Sequence, residues 1–190
     1  MKTRCEWSSG NPLMEKYHDE EWGTPVHDDQ LLFEHLFLDT FQAGLSWLII
    51  LKKRENFRKA FDNFSIEKIA RFDEKKIESL LNDEGIIRNK LKIRGAITNA
   101  QCALRIQQEF GSLDRYFWSF VNNKTIRNNF KTTSEIPAKT TVSDSMSKDM
   151  KKRGFKFAGS TVCYAFMQAT GMINDHLVKC YRHEDLTGEH

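Results

Sequence analysis

The stretch Phe41-Gln42-Ala43-Gly44-Leu45-Ser46-Trp47 combines a flexible backbone point with an apolar wedge and an aromatic plate. A helical apolar run, Leu31 to Phe41, reaches Gly44 and breaks there. A glycine in a helix interior costs about 1 kcal/mol relative to alanine, so its presence marks a turn or a close backbone approach. Leu45 and Trp47 follow at once. A second helical pattern then runs through Leu48-Ile49-Ile50-Leu51 to Lys52-Lys53-Arg54. A helix junction with a wedge-sized leucine, an indole and nearby positive charge is suited to gripping a nucleobase and the backbone it hangs from.

A second set of residues has the chemistry of metal ligation. Cys5 and His18 lie near the N-terminus, and His176 and Cys180 lie near the C-terminus, spaced i, i+4. A helix over 172–181 would put the latter two on one face. Two cysteines and two histidines suit a closed, tetrahedral zinc site, with Asp175 or a backbone carbonyl orienting an imidazole. Such an ion would tie the N-terminal arm to the end of the chain. Spacing alone does not make these four residues a metal motif, and His183, three residues past Cys180, competes as a ligand. His27, His35 and His190 read as ordinary surface or core histidines.

Residues 77–97 read as two amphipathic helices around a short turn at Gly85. Ile86 and Ile87 would fill the gap between them, and Ala96 and Ala100 would let the second helix pack closely. Amides opening that helix would face outward, where a phosphate can accept from them, with Arg88 and Lys90 adding charge. This pattern resembles a helix-hairpin-helix. Any antiparallel helix pair joined by a glycine turn reads the same way.

The elements that must carry these residues are helical. Apolar spacing predicts helices over 28–41, 46–61, 65–72, 73–82, 89–110, 112–121, 143–153 and 159–171. Several open on a polar residue able to cap the first turn. Period-2 alternation is absent, so no sheet is expected. Residues 122–141, polar and rich in Thr, Asn and Lys, read as a long surface connection. Residues 1–27 read as an ordered but irregular arm that must bury Trp7, Tyr17 and Trp22. The expectation is one all-α domain over 1–190, with two helical lobes around one core.

Composition supplies limits. With 29 basic and 26 acidic residues the net charge is +3, too small to argue for nucleic acid by itself. Local basic groups, Arg88-Lys90-Lys92-Arg94 and Lys151-Lys152-Arg153-Lys156, suit phosphate contacts or plain solvated helix faces. No segment approaches the roughly 18 consecutive apolar residues of a membrane span, and no signal-peptide run opens the chain. The expectation is a soluble, cytoplasmic protein with reduced cysteines.

Taken together, the blocks resemble one family. They are Cys5-Glu6-Trp7, Tyr17-His18-Asp19-Glu20-Glu21-Trp22-Gly23, Gln42-Ala43-Gly44-Leu45-Ser46-Trp47, Leu51-Lys52-Lys53-Arg54-Glu55, Gly85-Ile86-Ile87-Arg88, Trp118-Ser119-Phe120-Val121, Lys151-Lys152-Arg153-Gly154-Phe155-Lys156-Phe157 and Asn174-Asp175-His176. In this order, from residue 1 to about residue 180, the chain resembles the DNA-3-methyladenine glycosylase I family of the helix-hairpin-helix glycosylase superfamily. The resemblance implies an all-α glycosylase bundle with one structural zinc on Cys5, His18, His176 and Cys180. It implies monofunctional hydrolysis of the N-glycosidic bond of 3-methyladenine in double-stranded alkylated DNA. The products are the free base and an abasic site, and a monomer is expected.

The resemblance also distributes roles. Trp47 and Tyr17 fall at the base-contacting positions, with Trp7 and Trp22 beside them. Gly44 and Leu45 fall where the duplex gap is probed, and Gly85, Arg88 and Lys90 fall on the DNA-binding hairpin. The family's pocket glutamate is Asp39 here, which would be the base-recognising acid. For each aromatic the alternative is a core residue. Thr40 and Phe41 replace the usual residues before Gln42 and would add bulk, and Ala165 stands where serine is common. These departures keep open a relative with altered lesion preference, or one that binds damaged DNA without strong catalysis. A lyase using Lys90 or Lys92 as a Schiff-base amine, a zinc hydrolase and a helical interaction module are further readings.

Overall fold

The computed structural model describes residues 2–186, and His190 lies outside them. Ten α-helices are present among the described residues: α1 (Pro12–Glu20), α2 (Asp29–Gln42), α3 (Trp47–Ala60), α4 (Ile66–Ile69), α5 (Glu74–Leu81), α6 (Lys90–Phe110), α7 (Leu113–Ser119), α8 (Thr141–Lys152), α9 (Ser160–Ala169) and α10 (Tyr181–Asp185). Most of the expected starters do cap, though Ser46 makes no side-chain bond to the first turn of α3. Asp28, Ser65, Asp73, Asn89 and Ser112 each accept from an amide of the following first turn, satisfying donors the helix itself leaves unpaired.

α2 is buried on nearly every face. Around it, Phe37, Phe41, Phe57, Phe61 and Phe64 form a block of edge-to-face and stacked rings, burying them in favoured ring geometries. α6 and α9 pack on other sides of α2, with Ala96 and Ala100 of α6 buried as their size requires. No helix is long and apolar enough to cross a membrane among the described residues.

Three expectations need correction. The arm over 1–27 is not wholly irregular: α1 forms within it, with Pro12 at its first position and the Asn11 side chain accepting from the Leu13 and Met14 amides. Proline is favoured there because its missing N–H would be unpaired anyway. A sheet exists, though a minimal one: β1 (Ile126–Arg127) pairs in parallel with β2 (Ile173–Asn174). Two-residue strands are too short to show a period in sequence. Finally, 172–181 is not a helix. β2, a loop and a turn occupy it, and Cys180 is the residue before α10.

Candidate functional site

A cavity of about 340 Å³ opens beside the end of α2. Trp7, Tyr17, Trp22, Asp39 and Trp47, which come from four separate stretches of chain, all line it. So do Met14, Gln42, Ile136, Ala165, Gln168 and Ala169. Its size and largely apolar wall with a few polar groups are those of a small-molecule pocket.

The aromatic walls brace one another. Tyr17 lies 5.2 Å from Trp47, and Trp7 lies 5.0 Å from Trp22, centroid to centroid. Trp47 is half-buried rather than sealed in the core. Its indole Nε1 is shielded from solvent and makes no hydrogen bond in the chain.

Asp39 is 4 % exposed, and its Oδ2 likewise has no partner. Burial pushes its carboxyl well above the usual range, because a charge in a low-dielectric site without a counter-ion is costly. Tyr17 is raised as well, first by burial and then by Asp39. An acid and an indole N–H, both buried and both unpaired, are polar groups that a ligand would satisfy. Phe41 corrects the expectation of added bulk. It is fully buried in the phenylalanine block and does not line the cavity. The Thr40 hydroxyl also turns away, donating to the Phe37 carbonyl at 2.8 Å.

The break after α2 has the geometry its glycine suggested. Gly44 is exposed with φ +80°, a conformation an L-residue seldom adopts. Leu45 is half-buried against the core. Lys92 explains how this loop is held. Its Nζ donates to the Phe41 and Ala43 carbonyls at 2.7 and 2.6 Å, occupying acceptors that the end of α2 leaves open. Burial lowers the Lys92 pKa. Lys92 is therefore a loop anchor, not a surface phosphate contact. Sequence spacing gave no sign of this, because its partners are backbone atoms about fifty residues away.

The hairpin lies between α5 and α6, and Lys92 ties it to the Gly44 loop. Ile86 is buried, while Arg88 and Lys90 are exposed. Gly85 has a role different from the one expected. Its amide donates to Asp83 Oδ1 at 2.8 Å, and its carbonyl accepts from Lys53 and Asn56. A Cβ there would stand 2.9 Å from Asp83 Oδ1. A side chain there would meet the ends of the Asp83 and Asn56 side chains, and the glycine's own N–H is taken. Asn89 caps the Lys92 amide, leaving amides earlier in the first turn of α6 for outside acceptors.

Behind the aromatic wall, Cys5, His18, His176 and Cys180 converge, all buried, with their ligand atoms within 4.8 Å of one another. The donor set fits a cation. His18 Nδ1 is engaged by Asp19 Oδ1 at 2.9 Å, so its Nε2 lone pair faces the cluster. His176 Nε2 is engaged by the Trp22 carbonyl at 2.9 Å, so its Nδ1 faces inward. The sulfur–nitrogen separations of 3.4 to 3.7 Å match the roughly 3.5 Å edge of a tetrahedron with metal–ligand bonds of about 2.0–2.3 Å. Cys180 is held below the ordinary thiol range, first by its hydrogen bond from Cys5 and then by the two imidazoles. Of the two orienters expected, a backbone carbonyl, that of Trp22, takes the role on His176, and Asp175 accepts from other side chains. His183 is occupied by Asn128 and Arg127 and stands apart from the four. The cluster and cavity share walls: Trp22 lies 4.6 Å from His176, and Trp7 lies 5.4 Å from His18. No lysine lines the cavity among the described residues.

Comparison with known proteins places the chain among relatives. The methyladenine glycosylase family model matches residues 7–183. DNA-3-methyladenine glycosylase 1 of Escherichia coli is 49% identical over 177 residues, which is 93% of this chain and 95% of the relative. DNA-3-methyladenine glycosylase of Haemophilus influenzae is 43% identical over 180 residues, covering 95% and 97%. The solved 3-methyladenine DNA glycosylase I of Staphylococcus aureus, described in terms of its recognition of 3-methyladenine, superposes with a TM-score of 0.92 at 34% identity, over 98% of this chain and 97% of that one. The chain belongs to the methyladenine glycosylase family.

Proposed function

We infer that the protein excises 3-methyladenine from alkylated double-stranded DNA by hydrolysing the N-glycosidic bond, leaving an abasic site. The observation that carries this reading is the cavity itself, with Asp39 Oδ2 and Trp47 Nε1 unpaired beside mutually tilted and edge-on aromatic rings. A base in a duplex is out of reach and must be flipped out, at a cost of a few kcal/mol that a poorly pairing methylated base reduces. The extruded base is cationic, so it leaves readily and needs little help from a general acid.

The residues then divide the work. Tyr17 and Trp47 hold the ring, with Trp7 and Trp22 completing the cup, and their faces attract its positive charge. Asp39, whose carboxyl burial pushes up, gains from the cation the opposite charge that favours its ionised form, and it accepts from the base edge. Gly44 and Leu45 occupy the gap left in the duplex. Arg88 and Lys90, with amides at the start of α6, hold the phosphates, while Gly85 shapes the hairpin without donating to them. Lys92 and Lys90 lie outside the cavity, which favours a monofunctional hydrolase over a lyase.

The cation at Cys5, His18, His176 and Cys180 is read as one zinc in a structural role. Four protein ligands leave no position for an activated water, and the ligands back the aromatic walls rather than the cavity. The whole chain acts as one glycosylase domain, a monomer located with the chromosomal DNA in the cytoplasm.

The test is chromatography of bases released from methylated duplex DNA, with strand cleavage scored before and after alkali. Free 3-methyladenine and alkali-dependent strand breaks are expected. Tight binding to the same DNA without base release would replace this reading with that of a damage-binding relative. A borohydride-trapped adduct would restore the lyase.

A further inference from the structure

Gln168 presents a polar atom to the cavity with an orientation that chemistry, not packing alone, decides. Ala165, Gln168 and Ala169 share one face of α9, and all three line the cavity. Gln168 Nε2 donates to Asp175 Oδ2 at 2.7 Å. Asp175 is 1 % exposed, and it also accepts from the Tyr164 hydroxyl and from Asn128 Nδ2. Asp175 is thus an acceptor toward all three of its side-chain partners. An amide, whose two ends are otherwise hard to tell apart, must therefore turn its nitrogen toward Asp175. Its carbonyl Oε1 is left facing the other way, and it makes no hydrogen bond within the described chain.

We propose that Gln168 is a specificity-determining residue: its Oε1 accepts from the exocyclic amine of a methylated adenine and rejects a methylated guanine. This rests on the reading that the cavity takes a 3-methylpurine. The adenine amine carries two N–H groups, enough for both Asp39 and Gln168. A guanine carries a carbonyl oxygen at the same ring position. Two carbonyl oxygens facing each other leave both acceptors desolvated and unpaired, the case in which a buried polar contact discriminates most strongly. Gln42, the other amide on the wall, gives its Nε2 to the Leu45 carbonyl on the exposed loop. Gln168 is instead fixed to a buried carboxylate that three donors immobilise.

The experiment measures release of 3-methyladenine and 3-methylguanine from the same methylated duplex, resolved by chromatography. Gln168→Met keeps the length and deletes the acceptor. The expected result is a roughly tenfold fall in the 3-methyladenine rate with a rise in the 3-methylguanine rate, so that their ratio falls by more than that factor. A merely structural role lowers both rates together and leaves the ratio unchanged, which overturns the proposal. Asp175→Asn provides a second reading if the first variant does not fold. An amide at that position can donate as well as accept, freeing Gln168 to turn Nε2 inward, and the ratio again falls. A constant ratio in that variant overturns the proposal too. Wild-type protein that releases neither base overturns the assigned activity and this inference with it, whereas wild-type release with a constant ratio removes Gln168 alone.

Discussion

Gln42 and Leu45 hold each other across the break at Gly44. The Leu45 amide donates to the Gln42 carbonyl at 2.7 Å, and Gln42 Nε2 donates to the Leu45 carbonyl at 3.0 Å. Gln42 also lines the cavity, so one side chain joins the pocket to the loop read as the duplex wedge. Gln42→Leu keeps the bulk and removes one bond. Thermal melting should show a loss of about 1 kcal/mol. Base release from duplex should fall further than affinity for free 3-methyladenine, which calorimetry can report. Equal losses in both would separate the clamp from the wedge.

Asp39 carries a stability cost. Its folded pKa lies well above 3.8 because of burial. Between 3.8 and that folded value, the native state keeps a proton the unfolded chain has released, so stability falls as pH rises through the window. Asp39→Asn removes the cost. We expect the variant to melt higher at pH 7 while 3-methyladenine release falls on the order of a hundredfold. A variant with undiminished release would exclude Asp39 from base recognition.

His35 behaves in the opposite sense. Its pKa is pushed down to about 4, mainly by burial and secondarily by Arg54, and its Nδ1 has no partner. Between about 4 and 6.5 the unfolded chain binds the proton more tightly, so stability is complete above 6.5 and is lost as pH falls toward 4. The loss is on the order of 3 kcal/mol. His35→Gln should flatten the dependence of the urea midpoint on pH between 7 and 4 relative to wild type. Parallel curves for the two proteins would mean that His35 titrates normally.

Metal removal should act through the fold. Elemental analysis is expected to find one zinc per chain. Chelation, or Cys180→Ser, should lower the melting temperature on the order of 10 °C and reduce base release in step with the folded fraction, because Trp7 and Trp22 rest against His18 and His176. Activity lost while melting stays constant would instead place the ion in the chemistry.

Local order was legible in the residues themselves. Apolar spacing and polar starters located most helices to within a residue or two, because helix period and capping are properties of neighbouring positions. The Gly44 break was visible for the same reason. The ordered blocks from Cys5 to His176 carried the family resemblance, and with it the four cavity aromatics, Asp39 and the Cys/His set. What tertiary structure alone decided is who meets whom across long separations. Lys92 caps the end of α2 because α6 folds back over it, Gln168 is oriented by an aspartate beyond its own helix, and the Gly85 carbonyl is held by Lys53 and Asn56 of α3. Phe41 could be placed in the core rather than the pocket only once both existed. The two-residue strands escaped the period because they are short, and α1 because Leu13, Met14 and Tyr17 are its few apolar residues among charged ones. Asp175 and His176 are set in place by a backbone ladder to residues 126–128, and such pairing leaves no trace in local composition, since backbone groups are the same at every residue.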